Sequence, residues 1–322
     1  MNQRKFFSNI GMAYFLLAAV TIGLQTLLSV VINSTAPQLL NNSFIYWIVS
    51  LGPMYLIAMP ICVKVLKRQP AVHLYESSMK AGKWFSSLCI CMFIMLAGNL
   101  IGQGVNALIG YFTGVNPSME LQDVMLNESG WSVFLFSVIL APILEELIFR
   151  KALIDRAVVL GDKTAILLSG LLFGLFHGNF SQLFYAFGIG CIFAYIYIRT
   201  GKIKYTISLH MAVNFLGGFL PSVILKRLDL DMLMGDVLSG NALYYLLNHI
   251  GWFLALIIVE LLIVALAIAG LVLFILSARK AELRPGEYER PAKETAKAMF
   301  GNVGMILFLA VCVVLFLMNI LL

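Results

Sequence analysis

The chain has 322 residues, of which 61% are hydrophobic and only 12% charged, with a net charge of +6 and a mean hydropathy of +0.94. This composition excludes a soluble globular domain and describes a polytopic integral membrane protein. In that class the Lys and Arg excess sets topology loop by loop, so the positive charge does not point to a nucleic-acid partner.

Apolar stretches able to cross a ~30 Å hydrocarbon core begin with residues 11–33, 43–66 and 84–113. The N-terminal MNQRK followed by an apolar run resembles a signal peptide, but the run is too long and has no small-residue cleavage site, so it is expected to be a retained first span. Arg4 and Lys5 precede the first span, no charge separates the first two, and Lys64, Lys67, Arg68, Lys80 and Lys83 follow the second. That pattern places the N-terminus in the cytoplasm, with the plasma membrane as the expected location. Residues 67–83 suit either a short interfacial helix or a plain connecting loop. The loop 114–130 carries Glu120, Asp123 and Glu128 with no basic residue, so it belongs outside.

The fourth span runs from Trp131 to about Leu160 and returns to the cytoplasm near Arg156 and Lys163. Spans five (164–179) and six (181–198) are short and nearly continuous, and span seven covers 205–225. This leaves Lys226 and Arg227 outside, against the charge rule. Residues 239–252 read as an interfacial start to span eight, 279–297 as a charged cytoplasmic loop, and 298–322 as a ninth span. The result is an all-α bundle of eight to nine spans. The five cysteines all fall in apolar runs and read as small core residues rather than disulfides or metal ligands. His249 and Glu260 have no assignable partner, and a local hydrogen bond is the expected role.

Three polar constellations interrupt the apolar spans. In span four, APILEELIFR places Glu145, Glu146 and Arg150 in a membrane-crossing run, where an ionisable group costs several kcal/mol unless it is paired or solvated. Helical neighbours point about 100° apart, so Glu145 and Glu146 are not expected to share a partner. Glu146 and Arg150 lie four apart on one face and are expected to pair, leaving Glu145 free. The alternative is that all three charges snorkel at a helix end. Pro142 deletes a backbone hydrogen bond just before Glu145 and is expected to bend or open the helix. Span five carries Phe173 and His177 in GLLFGLFHG, with the aromatic ring one turn below the imidazole. Its Gly170, Gly174 and Gly178 recur every four residues, a ridge that admits a neighbouring helix backbone. Span seven carries His210 and Asn214, again four apart. Taken alone, each His or Asn also fits an interhelical hydrogen bond.

Depth unites them. At ~1.5 Å rise per residue, Glu145 lies about 16 Å from its cytoplasmic boundary, His177 about 20 Å and His210 about 9 to 15 Å. All three can therefore meet in the cytoplasmic half, and each buried polar group there needs a partner.

EELIFR, FGLFH and HMAVN resemble the EExxxR, FxxxH and HxxxN motifs of the CAAX protease and bacteriocin-processing family of intramembrane endopeptidases, the type II CAAX prenyl endopeptidase kind. Every fixed position is met, in order, across about 131–220. The resemblance implies a catalytic core over 131–225, flanked by N-terminal spans (1–130) and C-terminal spans (226–322), with the site among spans four, five and seven. It further implies that Glu145 and His177 activate water while His210 and Asn214 bind the developing oxyanion, with Glu146, Arg150 and Phe173 in support. The chemistry of the residues agrees: a carboxylate in a low-dielectric pocket suits a general base, and an Asn amide only donates or accepts hydrogen bonds. Asn99, Gln103 and Asn106 on one face of span three would either line a water cavity or act as interhelical glue.

The expected partners are membrane lipid and a peptide or membrane-protein substrate, with no cofactor. Within the enzyme class the alternative is a zinc metalloprotease using Glu145, His177 and His210 as ligands. Outside it stand a proton-coupled transporter, which normally shows paired broken helices in internal repeats that are not visible here, and a non-catalytic peptide-immunity or scaffold protein.

Overall fold

The computed structural model describes residues 1–115, 126, 128–228, 232, 235 and 241–321. In chain order its helices are α1 (Gln3–Thr35), α2 (Ser43–Leu66), α3 (Ala81–Thr113), α4 (Gly130–Leu160), α5 (Asp162–Phe176), α6 (Phe180–Thr200), α7 (Ile203–Leu228), α8 (Ala242–Asn248), α9 (Ile250–Ala278), α10 (Ala292–Phe300) and α11 (Val303–Leu321). No strand occurs among the described residues. Eight of these helices are long and apolar enough to cross a bilayer. The expected fifth span is the exception: α5 has 15 residues, which at 1.5 Å each is about 22 Å, short of a full crossing. It is a short span packed against α6.

Polar caps and glycine turns set the helix ends, because a terminus buried without partners is costly in lipid. The Asn2 side chain accepts from Lys5 N at the start of α1, Asn42 does so from Phe44 N and Ile45 N at α2, and Asn179 from Gln182 N at α6. Gly178 takes the left-handed conformation at φ +67°, turning the chain sharply between α5 and α6. Of the expected glycine ridge, Gly170 and Gly174 face the α6 backbone at Phe187 and Leu183, where an added Cβ would collide. Gly178 does not continue the ridge. It lies beyond the end of α5, packed on Leu315 of α11.

The first and last spans pack on each other, with α1 also against α2, while α3 lies between α6 and α9. Two cores result. The larger joins α1, α2, α4, α5, α6 and α11 around Phe7, Tyr14, Phe149, Leu153 and Phe308. The smaller joins α3, α6, α7 and α9 around Met92, Phe193, Leu209 and Ile263.

Both bundle ends gather the loops that charge counting assigns to one side. At one end Gln3 Nε2 donates to Tyr288 O at 2.5 Å, and residues 69–80 run extended as a strap. In the strap Val72 N donates to Asp155 O, Ser77 N to Thr200 O and Met79 N to the Tyr205 hydroxyl. The connecting-loop alternative for this segment therefore holds. The loop after α9 docks on the α4–α5 turn, where Asp162 N donates to Arg284 O and Arg284 N to Asp162 Oδ2, both at 3.0 Å. Gly286 sits against Gly161, each too close to the other's backbone for a side chain. The expected loop 279–297 is shorter than that, because residues from Ala292 onward form α10. At the opposite end Ser43 hydrogen-bonds Glu128, and Lys226 Nζ donates to Glu128 O at 2.9 Å. Arg227 lies over the Trp252 ring at 5.9 Å. Lys226 and Arg227 thus have local partners in place, and α7 is long and apolar enough to cross. Glu120 and Asp123 lie outside the described residues.

The α1–α11 contact is a testable joint, because Gly11 and Gly304 bring the two backbones together and a Cβ at Gly304 would run into Ser8 O. Gly304→Leu should lose about 1–3 kcal/mol by overpacking, read as a lower melting temperature in detergent. Gly23→Ala is the control. With nothing within 4 Å of its Cβ position, it should melt at or above the wild-type temperature.

Candidate active site

Of the sequence-predicted residues, His210 and Asn214 meet α4 directly, while His177 is linked to it through the Phe173 ring, and the backbone of α4 explains how. Residues Phe134–Leu140 and Leu147–Ala152 are wound as π-helix, flanking the short α-helical turn Ala141–Glu146 that carries both glutamates. Wide turns of this kind leave carbonyls outside the normal ladder. In the first stretch Ala141 N reaches Phe136 O, and the next link in that register would be from residue 142 to Ser137 O. Pro142 has no N–H to give. Asn214 Nδ2 supplies the missing donor, at 2.8 Å from Ser137 O. In the second stretch the Tyr14 hydroxyl donates to Ile148 O at 2.9 Å and Ser169 Oγ to Phe149 O at 2.8 Å. Side chains from α7, α1 and α5 thereby take up the carbonyls that the widened helix exposes.

Glu146 and Arg150 form the expected pair, Nε to Oε2 at 3.2 Å, with both side chains fully buried. The Arg150 guanidinium lies over the Phe173 ring at 4.3 Å and the Phe193 ring at 5.4 Å, so two π faces cover a cation that water does not reach. Phe193 was not foreseen, since nothing in the α6 sequence distinguishes it from a core residue. Phe173 also meets the His177 ring edge-to-face at 4.8 Å, as the helical spacing predicts, and the His210 ring at 5.7 Å. One phenyl group orients both imidazoles.

Two sequence expectations need correction. Glu145 and Glu146 do share a partner: His210 Nδ1 lies 3.0 Å from Glu146 Oε1, and His210 Nε2 lies 3.7 Å from Glu145 Oε2. The 100° separation fails as an exclusion because an imidazole has nitrogens on two edges. Inserted from α7, it addresses one carboxylate with each. Glu146 in turn serves two partners, one oxygen on Arg150 and the other on His210. Glu145 is therefore not free, although its side chain keeps 19% exposure where Glu146 keeps 0%.

Hydrogen positions follow from the acceptors. A carboxylate paired with a guanidinium only accepts, so His210 Nδ1 carries hydrogen and, in the neutral ring, Nε2 presents its lone pair toward Glu145. His177 Nδ1 lies 2.7 Å from Phe173 O, which also only accepts, so the neutral His177 likewise offers a bare Nε2. His177 is the residue just past the end of α5, held by the Gly178 turn. Asn214 spends one amide hydrogen on Ser137 O and keeps the second.

Glu145 lines a small, narrow cleft between α1, α2, α4 and α5, walled by Leu17, Met54, Tyr55, Leu144 and Phe176 among others. Tyr55 was missed in the sequence because no polar residue shares its helical face. The signal available was Pro53, which breaks the α2 ladder just before it, as Pro142 breaks α4. Of the span-three residues, Asn106 Nδ2 donates to Ser181 Oγ at 2.8 Å as interhelical glue, Gln103 is exposed, and none of Asn99, Gln103 and Asn106 lines this cleft. His249 bonds locally, Nδ1 to Tyr245 O at 3.0 Å. Among the described residues no three His, Cys, Asp or Glu side chains are grouped as metal ligands.

Removing either glutamate charge should separate the two roles. Glu146→Gln leaves Arg150 buried without a countercharge and should cost about 3–5 kcal/mol of stability. Glu145→Gln, partly open to its cleft, should cost less. Melting both variants in one detergent tests this, and equal losses would show that Glu145 is as deeply committed to the fold.

Over residues 127–216 the chain matches the family model described as type II CAAX prenyl endopeptidase Rce1-like. It is 32% identical over 122 residues to the putative membrane peptidase YdiL of Bacillus subtilis (strain 168), covering 36% of this chain and 49% of that protein. It is 31% identical over 139 residues to the membrane-embedded CAAX protease MroQ of Staphylococcus aureus (strain USA300), covering 41% of this chain and 54% of that one. The chain thus spans about half the length of the curated relatives it matches. No solved structure is significantly similar. Glu145, Glu146, Arg150, His177, His210 and Asn214 all lie within the segment, 127–216, that matches the Rce1-like type II CAAX prenyl endopeptidase model.

Proposed function

We propose that this chain is an intramembrane endopeptidase that hydrolyses a peptide bond of a membrane-associated substrate, with 131–225 as its catalytic core. The observation that carries the reading is the Glu145 carboxylate, which faces His210 at 3.7 Å and opens on a cleft within a fully helical bundle. Such a carboxylate is suited to take a proton from water, and the bare Nε2 of His177 is suited to accept that water's second hydrogen bond. The hydroxide oxygen adds to the peptide carbonyl carbon, and the carbonyl oxygen becomes an oxyanion. Asn214's second amide hydrogen and, in its doubly protonated form, His210 Nε2–H are the donors that the motifs offer this charge. As the C–N bond breaks, the proton held by Glu145 passes to the departing amine, so water is consumed and two chain ends are released. Glu146 and Arg150 position His210 and take no part in the proton path.

Glu145→Ala should abolish cleavage of a peptide library by the purified protein in detergent. Activity of the wild type should survive exhaustive chelation, with much less than one zinc per chain. Loss on chelation with recovery on added Zn²⁺ would replace water activation by Glu145 with the zinc mechanism, in which a metal polarises the carbonyl and activates the water.

The orientation belongs to the same reading. The N-terminus and the loop 279–291, tied together through Gln3 and Tyr288, face the cytoplasm of a cell whose plasma membrane holds the protein, by the Lys and Arg bias. A cysteine introduced at Glu282 should be labelled only by a membrane-permeant probe. Labelling from outside by an impermeant one would invert the topology.

A further inference from the structure

The hydroxyl of Tyr55 is buried and hydrogen-bonded to nothing among the described residues, and Tyr55 lines the same cleft as Glu145. The walls around it, Leu17, Leu144, Ile148 and Phe176, offer no donor or acceptor on their side chains. A buried polar group without a partner is destabilising, and natural structures keep few of them. Tyr55 also stands on Pro53–Ala58, where α2 is wound as π-helix, the same local widening that α4 shows on either side of its glutamates. Such departures inside transmembrane helices cluster at working sites.

While His210 is neutral, the donors available for the reaction are short by one. A tetrahedral intermediate is stabilised by donors aimed at its oxyanion, usually more than one. Asn214 has a single hydrogen to spare, since the other is on Ser137 O. Neutral His210 has none, since Nδ1–H is committed to Glu146 and Nε2 is a lone pair facing Glu145. The Tyr55 O–H is a buried donor without a partner among the described residues, on a side chain that lines the cleft together with Glu145.

We propose that Tyr55 is a further catalytic residue of this site, donating its O–H to the carbonyl oxygen of the scissile peptide bond as that oxygen gains negative charge. The proposal rests on the peptidase reading above. The proton stays on the phenol oxygen throughout, and the covalent changes remain those of water addition and C–N cleavage.

The test is Tyr55→Phe, which removes one oxygen and leaves the ring, assayed beside Glu145→Gln on a quenched fluorescent peptide library. Tyr55→Phe should lower kcat about 10²- to 10³-fold with KM nearly unchanged. Its melting temperature should equal or exceed that of the wild type, because an unpartnered hydroxyl has gone. In the Glu145→Gln background, adding Tyr55→Phe should leave binding of an uncleaved library peptide unchanged. A kcat within about twofold of wild type, or a loss confined to KM, overturns the role of Tyr55 while leaving the peptidase reading intact, provided Glu145→Gln is inactive. An active Glu145→Gln, or a wild type that cleaves no peptide, overturns both.

Discussion

A buried charge pair is the constraint on which the rest of the site depends. Glu146 and Arg150 are both inaccessible to solvent within a membrane-crossing helix, and neither can be left alone there without a large desolvation penalty. Their mutual contact uses one carboxylate oxygen. The other oxygen holds His210, and the guanidinium faces are covered by Phe173 and Phe193. Because Phe173 also touches both imidazoles, the geometry of four helices is referred to this one pair. Glu145, one residue away, is spared that duty and meets the cleft.

Placing the pair there requires an unusual α4. Its π-wound stretches rotate the residues between them relative to a straight helix, and they expose carbonyls that lipid cannot satisfy. The structure resolves this with side chains: Asn214, Tyr14 and Ser169 each cap one such carbonyl from a different helix. The same bonds that make the widened helix tolerable also fix the distances between helices. Asn214 thereby straps α7 to α4 while one of its amide hydrogens stays uncommitted to that bond.

The end of the bundle at which α4 and α5 meet is closed by segments from elsewhere in the chain. The strap 69–80 ties α4 to α6 and α7, and the loop after α9 pairs with Asp162 and Gly161. Asp162 also faces Arg199 at 3.7 Å, so the turn into α5 is held from three directions. Together with the packing of Ala165, Leu168, Leu172 and Phe173 in the larger core, these polar ties hold the register of α5, which in turn sets the height of His177.

Composition and periodicity alone determined the class, the positions of the spans other than α5, and the Glu146–Arg150 pair. Hydrophobic runs must match bilayer thickness, and residues four apart on a helix must meet, whatever the tertiary arrangement. The motif residues of spans four, five and seven were legible for the same reason, since polar side chains in lipid are too costly to occur without partners. Which partners they take was decided only by the fold. Whether an imidazole reaches one carboxylate or two depends on how α7 crosses α4, and that crossing depends on a proline-broken ladder whose open carbonyl Asn214 fills. Tyr55 and Phe193 stood in their own helices without any polar or periodic signal. Their roles exist only where α2 and α6 bring them against Glu145 and Arg150, because proximity across helices is a property of packing and leaves no local trace.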